Sequence, residues 1–524
     1  MILICFILLP LAGGLAAWIL NRRGDLWARW VSLAAMLMTL ALGLFLWGRR
    51  PAGIELSPGG QWLYEVKCDW VPQLGISFHL GMDGLSLLLV LLTAFLGVIS
   101  VAASWSEIKE RVGFFHFNLL WTLAGIMGVF LSLDLFLFYF FWELMLIPMC
   151  FLIGLWGHED RVYAAVKFFI FTQASGLLML LAILGLAFAH YKATGDFTFD
   201  YLKLVGSFAA VSPWLMLGFF VAFAVKLPMV PFHTWLPDAH TEAPTAGSVV
   251  LAGLLLKTGA YGFLRFVWPL FPETSHLFAT AAMVLGVIGI LYGAIMAFAQ
   301  SDLKRLVAYT SVSHMGFVLL GVFAGNELSL QGAIIQIISH GVGTGAFFIL
   351  IGSLQERIHT RDMNRMGGLW STAPRMGATA TVLALAAMGL PGLANFVGEF
   401  LVLIGTWKVS MALTAVAAVG MVISVVYSLQ VIARVFHGPN TEGWKIRDYS
   451  ARETAVAAVM IAVLVWLGIY PAPIFKTVKP VLDSLERNAI SAPERQPPER
   501  IVVLRTGSAA AKAVDSVLDL GGKP

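Results

Sequence analysis

Six titratable side chains lie inside apolar stretches of this sequence, where an ionised group is costly. A charged residue at the centre of a membrane helix costs about 2.5–3.5 kcal/mol on insertion scales. Carboxylates, lysines and histidines buried together have coupled pKa values, so a change of charge on one affects its neighbours. One such residue in each of several hydrophobic segments is typical of an ion path, and above all of a proton path. The six residues are Glu143, Lys226, Lys257, His314, His340 and Glu399.

The composition places these residues in a membrane protein with many spans. Of the 524 residues, 59% are hydrophobic and 12% are charged, about half the charged fraction of a soluble protein. The net charge of +4 does not indicate a nucleic-acid partner, because the Lys and Arg residues are spread among short loops, as a bilayer requires. The predicted surroundings of the chain are therefore lipid.

The sequence has no pattern for a cofactor or a metal. Cys5, Cys68 and Cys150 are far apart, without the close spacing of iron–sulfur or zinc ligands. The glycine-rich GVGTGA at 341–346 lies in an apolar segment, where small residues serve helix packing rather than phosphate binding. We therefore predict no metal site and no redox cofactor in this chain.

Apolar stretches of about 20 residues, long enough to cross a bilayer, predict an all-α polytopic membrane protein with about fourteen transmembrane helices. The N-terminal stretch has neither a basic leader region nor a small-residue cleavage site, so it is predicted to remain as the first helix. The predicted spans are 2–20, 26–48, 79–103, 113–132, 135–156, 163–189, 211–230, 244–267, 277–299, 304–324, 331–353, 377–407, 410–435 and 453–472.

Basic residues predict the orientation of these spans. The loops that contain Arg22, Arg161, Lys304 and Arg361 belong to the set with most of the Lys and Arg, so that side is predicted to face the cytoplasm. Both termini then lie on the non-cytoplasmic side. The segment from about 476 is polar and rich in proline and charge, which predicts a short, weakly ordered tail.

Two pairs of residues indicate an internal repeat. Glu143 and His314 are 171 residues apart, and Lys226 and Glu399 are 173 apart. Each half also holds a proline-broken helix, at VKLPMVP in span seven and at GLPGLANFVGE in span twelve. Because equivalent positions are an odd number of spans apart, the repeats must be inverted, as in many transporters. The predicted organisation is a three-helix segment at 1–110, inverted repeats of helices 4–8 at 111–270 and of helices 9–13 at 271–440, helix 14 at 441–475, and a polar tail at 476–524.

The depth of each charged residue in its apolar segment indicates whether it requires a buried partner or can reach the membrane surface. Glu143 requires a partner from another helix, and Lys226 is the natural candidate. Lys257 is too deep in its helix to reach either surface, which favours a function. Lys167 and Arg265 are nearer helix ends, where snorkelling explains them.

Three further features have two interpretations each. His314 and His340 are either hydrogen-bonded core residues or proton relays. Glu399 either opens a path to the non-cytoplasmic side or pairs with a base in a loop. The polar segment HTWLPDAHTEAP at 233–244 either feeds protons inward or is an ordinary helix start.

Four segments of the chain resemble one known family. FYFFWELMLIPM, FAVKLPMVPFHTWLPDAHTEAP, SDLKRLVAYTSVSHMGFV and GLPGLANFVGEF are similar to the antiporter-like subunits of respiratory complex I. The same superfamily includes subunits of multi-protein sodium/proton antiporters and of membrane-bound hydrogenases. The acidic Glu399 and the short polar tail resemble the M-type branch, because the L-type, N-type and antiporter relatives usually have a lysine at that position.

The resemblance implies that other subunits carry out the redox chemistry. NADH, FMN, iron–sulfur clusters and quinone would bind to partner subunits of NADH:quinone oxidoreductase in a bacterial inner (cytoplasmic) membrane, with L-type and N-type subunits as neighbours. Glu143 and Lys226 would form the switch pair of a first half-channel. The alternatives are a sodium/proton antiporter subunit, a hydrogenase membrane subunit and a structural scaffold.

The resemblance also implies a role for the four remaining residues. Lys257 would be the central relay of the proton path. His314 and His340 would continue its polar axis, and Glu399 would be the terminal proton-exchange residue.

Overall fold

The computed structural model describes residues 1–49, 62–206 and 212–490. Within these ranges the chain forms helices and one two-stranded antiparallel hairpin. In chain order the elements are α1 (Ile2–Leu20), α2 (Asp25–Gly48), β1 (Tyr64–Val71), β2 (Ile76–Met82), α3 (Gly84–Glu107), α4 (Val112–Leu131), α5 (Leu135–Trp156), α6 (Arg161–Thr194), α7 (Tyr201–Leu204), α8 (Pro213–Lys226), α9 (Trp235–Glu242), α10 (Thr245–Leu270), α11 (Pro272–Phe298), α12 (Leu303–Ala324), α13 (Glu327–Ile358), α14 (Pro374–Ala387), α15 (Ala394–Trp407), α16 (Met411–His437), α17 (Ala451–Ile469) and α18 (Ala472–Ile490).

The helices confirm a polytopic membrane protein. In the described ranges, 12 helices are long and apolar enough to cross a bilayer, and each corresponds to one predicted span. The two other predicted spans, 211–230 and 377–407, are divided into shorter helices, as the proline-broken segments predicted. The count of fourteen, the inverted repeats and their boundaries stay predictions.

Both interruptions have a local cause. Helix α8 ends at Lys226, two residues before Pro228, because proline has no amide hydrogen to continue the helical bonding. Helix α14 ends at Ala387, and Gly389 and Gly392 follow with φ of +78° and +94°. Glycine adopts these angles readily, whereas other residues do so at a cost.

The hairpin is an addition to the predicted all-helical class. Span three was predicted from residue 79, but β2 occupies 76–82 and α3 begins after Asp83, whose carboxylate accepts a hydrogen bond from the Ser86 amide at 2.8 Å. The hairpin packs on the loop before α5, where the Asp134 carboxylate accepts hydrogen bonds from the Ser77 amide and hydroxyl. The same carboxylate caps α5, as expected for an anion at a helix N-terminus.

The predicted weakly ordered tail is wrong for residues 476–490, because these residues belong to helix α18. Its apolar side chains recur at helical spacing and are buried, so α18 packs as an amphipathic helix. The rest of the predicted tail, 491–524, lies outside the described residues. The buried apolar residues of α18 are Ile474, Val478, Val481, Leu482 and Leu485.

The loops group at two ends of the helices. We call the end that holds the hairpin (62–83) and loops 132–134 and 195–200 the hairpin end. The opposite end holds loops 157–160, 299–302 and 359–373, and we call it the basic end. There Arg361 lies 3.0 Å from Asp302 and 3.5 Å from Glu242.

Three helices form the interior. Every residue in the apolar windows of α10, α12 and α13 is buried, whereas fewer than half of the residues in the windows of α1, α2 and α17 are buried. Lys257, His314 and His340 lie on these three interior helices. Their positions deep in the protein exclude snorkelling as an explanation for them.

Candidate proton-transfer site

Lys257 and His340 contact each other directly in the interior. The Lys257 ammonium donates a hydrogen bond to the Ala252 carbonyl at 2.6 Å and lies 2.6 Å from Nδ1 of His340. Both side chains have no exposed surface. Because an ammonium can only donate, Nδ1 of His340 is the acceptor, and a proton can pass along this contact.

The helix around Lys257 is locally widened. Residues Leu251–Leu255 and Phe263–Val267 of α10 form π turns on either side of the lysine. Such turns interrupt the regular bonding of an α-helix and recur at functional sites. The first of them contains Ala252, whose carbonyl binds the ammonium.

His340 connects to a second histidine and then to a carboxylate. The His340 and His314 rings are 5.6 Å apart, centroid to centroid, at 64°. Nδ1 of His314 lies 2.7 Å from Oε1 of Glu399, and the Gln336 amide donates to the same oxygen at 3.0 Å. Lys257, His340, His314 and Glu399 therefore form a series of polar groups across α10, α13, α12 and α15, in which Nε2 of His340 has no hydrogen-bond partner among the described residues.

Glu399 is buried inside this series. Its side chain is 1% exposed, and its ion-pair partner is His314 rather than a base in a loop, so that alternative is wrong. Oε2 has no hydrogen-bond partner among the described residues. A Cβ added at Gly389, in the break between α14 and α15, would lie 3.4 Å from this oxygen. The break therefore brings backbone close to the end of the series.

Glu143 and Lys226 are arranged differently. The Lys226 ammonium is fully buried and has no hydrogen-bond partner in the described parts of the chain. It lies 5.3 Å from the Trp142 ring centroid and 5.4 Å from that of Phe168, which is cation–π geometry. The expected direct pair with Glu143 is not formed, although the two charges interact electrostatically.

Glu143 faces α6 as well as Lys226. Oε1 of Glu143 is buried without a hydrogen-bond partner among the described residues, and Tyr139 and Gln173 interact with the same carboxyl group. A Cβ added at Gly176 would lie 2.9 Å from Oε1, so α6 approaches the carboxylate closely. The two charges of this half are thus near each other without being joined.

The snorkelling explanation is wrong for Arg265. Its guanidinium is buried at the hairpin end, where it pairs with Asp83 and donates to the Tyr261 hydroxyl at 3.2 Å. Lys167 is only partly exposed and lies 2.6 Å from Asp238 of α9. Both residues therefore tie helices together, which a single sequence segment could not reveal.

The segment 233–244 is a helix start as one interpretation predicted, but it also buries a histidine. His240 of α9 has no exposed surface, and neither ring nitrogen has a partner within the described ranges. Its ring stacks on Phe348 at 4.8 Å. From the sequence, His240 belongs to a segment that could either feed protons inward or begin a helix, and a histidine in a polar segment gives no sign of burial.

At the hairpin end, a charged cluster lies outside the spans. Both ring nitrogens of His79 face carboxylates, Nδ1 at 3.2 Å from Asp200 and Nε2 at 2.8 Å from Glu65, while Lys67 lies 2.5 Å from Asp200. Burial acts to raise the pKa of Asp200, but hydrogen bonds from His79 and Lys67 outweigh it and lower that pKa to about 2. Burial acts to lower the pKa of His79, but the two carboxylates prevail and raise it.

The donor groups do not make a metal site. In the described ranges, no group of three or more His, Cys, Asp or Glu side chains has the geometry to hold a metal ion.

Comparison with known proteins identifies the family. A family model described as NADH:quinone oxidoreductase/Mrp antiporter, TM, matches residues 132–424. The chain is 54% identical over 486 residues to NADH-quinone oxidoreductase subunit M of Pseudomonas aeruginosa, covering 90% of this chain and 95% of that protein. The chain is an M-type member of this family. It is also 52% identical over 498 residues to subunit M of Escherichia coli strain K12, covering 93% and 98% of the two chains.

A solved structure supports the same assignment. The chain matches a chain of respiratory complex I from Thermus thermophilus with bound NADH at a TM-score of 0.84 and 31% identity, covering 93% of this chain and all of that one. The resemblance of the four sequence segments to antiporter-like subunits of complex I, and the assignment to the M-type branch from Glu399 and the short tail, are therefore confirmed.

Proposed function

We propose that this chain is the M-type membrane subunit of a bacterial NADH:quinone oxidoreductase and that it moves protons across the inner (cytoplasmic) membrane. NADH, FMN, iron–sulfur clusters and quinone would be bound by partner subunits. The names of the relatives and their coverage of nearly the whole chain support this assignment. L-type and N-type subunits would be its neighbours in the membrane.

The observation that carries the proposal is the series of two direct contacts, Lys257 to His340 and His314 to Glu399, with the two histidine rings next to each other. A proton on Lys257 can pass to Nδ1 of His340 at 2.6 Å, and the proton on Nδ1 of His314 can pass to Glu399 at 2.7 Å. Water between the two histidine rings would complete the path, since bridging waters serve as hydrogen-bond partners. Glu399 is then the exchange residue at the end of the series.

Glu143 and Lys226 would form the switch of the first half. Their charges interact without a direct bond, so the attraction depends on the charge of each group and on small movements of α5, α6 or α8. In a low dielectric, two charges influence each other even without direct contact. A change of charge on Glu143 would alter how readily Lys226 keeps its proton, and this would link the first half to Lys257.

The orientation follows from the basic end. Arg361, Arg357 and Lys304 lie there, and the positive-inside rule then puts this end in the cytoplasm and both termini on the other side. His240 lies between the basic end and Lys257, because it interacts electrostatically with both Lys257 and Lys304. It would receive protons from the cytoplasm.

A sodium/proton antiporter subunit is the second candidate, because the matching family description includes Mrp antiporters. The 54% and 52% identities to subunit M proteins favour the oxidoreductase instead. Proton pumping that requires NADH oxidation and ignores sodium supports the first function. Transport that requires sodium supports the second.

The experiment compares Glu143→Gln with the native protein in membrane vesicles. Electron flow from NADH to quinone and proton uptake are followed in the same sample and expressed per assembled complex. We expect both to fall at least about tenfold. Glu110→Gln, the same change at an exposed loop carboxylate, is the matched control. Unchanged pumping in Glu143→Gln contradicts the switch role.

A further inference from the structure

Lys304 is a fully buried lysine that the path above does not use. It is the second residue of α12 at the basic end, and its side chain has no exposed surface. The ammonium donates to the Ala243 carbonyl at 2.9 Å and lies 3.2 Å from Nε2 of His158. Among the described residues, no carboxylate lies within ion-pair distance of it.

Three physical effects oppose a positive charge at this position. Burial removes its hydration, the N-terminus of α12 carries the positive end of the helix dipole, and the Arg361 guanidinium is nearby. Lysine, unlike arginine, also loses its proton readily when it is buried. A residue needed only for packing would not have to be charged, so the charge itself, or its loss, requires an explanation.

Lys304 has ionisable neighbours in two directions, toward the basic end and toward the interior of the protein. Toward the basic end are the carboxylates of Glu107, Asp302 and Glu242, which interact with it electrostatically. Toward the interior is His240, which interacts with both Lys304 and Lys257. Ala243, which accepts the hydrogen bond from Lys304, lies at the end of the same short helix as His240. Lys304 thus lies between the carboxylates of the basic end and the buried lysine of the axis.

The partner His158 is neutral in this arrangement. Burial lowers the pKa of the His158 imidazole to about 3, and the charges of Lys304 and Arg361 act in the same direction. Nε2 of His158 therefore accepts the hydrogen bond from the ammonium. The contact holds the ammonium in position without giving it a counter-charge, so Lys304 is free to lose its proton.

We propose that Lys304 is a further proton-carrying residue, the one through which protons from the cytoplasm reach His240 and then Lys257. The step transfers one proton from Nζ of Lys304 to a ring nitrogen of His240, and neither ring nitrogen of His240 has a hydrogen-bond partner among the described residues. Lys304 is left as a neutral amine and takes a new proton from cytoplasmic water, passed on by a carboxyl group of the basic end that is protonated in the transfer. This inference rests on the proton-translocating function proposed above.

The test uses three substitutions in the whole complex in vesicles. Lys304→Met removes the proton site, Lys304→Arg keeps a charge that does not leave the side chain, and Lys304→His restores a titratable group with a lower pKa. We expect Met and Arg each to lower proton uptake per assembled complex at least about tenfold. We expect His to retain part of the rate, with the alkaline limit of pumping shifted to lower pH.

Two outcomes overturn the proposal. Native pumping in Lys304→Arg means that only the charge matters, and native pumping in Lys304→Met means that neither charge nor proton is needed. Lys109→Met, at an exposed loop lysine of the same end, is the matched control. Glu143→Gln is measured in parallel: if it pumps normally, the switch role proposed above fails, whereas loss in Glu143→Gln with normal Lys304→Arg rejects only the role of Lys304.

Discussion

The two predicted halves of the membrane domain, 111–270 and 271–440, each bury ionisable residues but connect them differently. In the second half, His314 and Glu399 are 2.7 Å apart, and His340 contacts Lys257, at the end of the first half, at 2.6 Å. In the first half, Lys226 has aromatic rings beside it and no hydrogen-bond partner within the described ranges. One half has a formed path, and the other has charges that act only across a gap.

This difference indicates which half of the domain responds more strongly to a small movement or to a change of protonation. A buried pair in contact is costly to break, because separation leaves each group without a partner. A buried charge without a partner is already unsatisfied, so small movements or a change of protonation alter its energy strongly. In the function proposed above, the first half would sense a signal and the second half would conduct protons.

The largest expected effect is on stability in the second half. Glu399→Ala leaves His314 and Gln336 without their shared acceptor inside the protein. We expect a loss of about 3–5 kcal/mol in the free energy of unfolding, measured by chemical unfolding of the purified complex in detergent. Glu110→Ala, at an exposed carboxylate, is expected to change stability by less than about 0.5 kcal/mol. An equal response of the two variants contradicts the buried pair.

A double-mutant comparison measures the contrast directly. For His314→Ala and Glu399→Ala we expect a coupling energy of about 1.5–3 kcal/mol, as for a hydrogen bond to a charged group. For Glu143→Ala and Lys226→Ala we expect a coupling below about 1 kcal/mol, because the two groups are not in contact. Unfolding free energies of the four single and two double variants provide both values. Similar coupling energies for the His314–Glu399 pair and the Glu143–Lys226 pair contradict the difference between the two halves.

The hairpin cluster, which packs at the start of the Glu143 helix, gives a smaller effect that depends on pH. The pKa of His79 is raised in the folded state, so its stabilisation is fully present below the unfolded value of 6.5 and is lost as pH rises through the folded value. We expect His79→Gln to cost about 1–3 kcal/mol at about pH 6 and less at higher pH. Unfolding measured across that range tests this, and a cost that grows with pH contradicts it. Asp200, with a pKa of about 2, stays ionised throughout this range.

The smallest expected effect on the free energy of unfolding is at Lys226. Lys226→Met removes a buried ammonium that has no hydrogen-bond partner in the described part of the chain, and methionine fills similar space. We expect the free energy of unfolding to change by less than about 0.5 kcal/mol or to rise, while proton pumping is lost. A loss of more than about 2 kcal/mol on unfolding indicates a partner for Lys226 and weakens the contrast between the halves.

Much of the fold could be predicted from local patterns, and some of it could not. Apolar length located twelve spans, and Pro228, Gly389 and Pro391 indicated both helix breaks. The hairpin was missed because β2 runs directly into the apolar residues of α3 and merged with that span. Helix α18 was missed because its polar and proline-rich composition concealed apolar residues at helical spacing.

Site residues could be predicted where an ionisable residue has apolar neighbours in the sequence. Glu143, Lys226 and Lys257 stand out from apolar neighbours in the chain. Lys304 and His240 do not, because their sequence neighbours are polar, although both are fully buried in the folded protein. Burial of such residues depends on other helices packing over them.

The sequence by itself determined the membrane class, the helix breaks, the family and the identity of the six candidate residues. These follow from hydrophobic length, proline and glycine chemistry and the cost of charge in an apolar segment, all of which act along the chain. Only the tertiary structure decided which charges are joined. Glu399 meets His314 and Lys257 meets His340 because α10, α12, α13 and α15 pack together, whereas Glu143 and Lys226 remain apart because the packing of α5, α6 and α8 puts aromatic rings beside the ammonium.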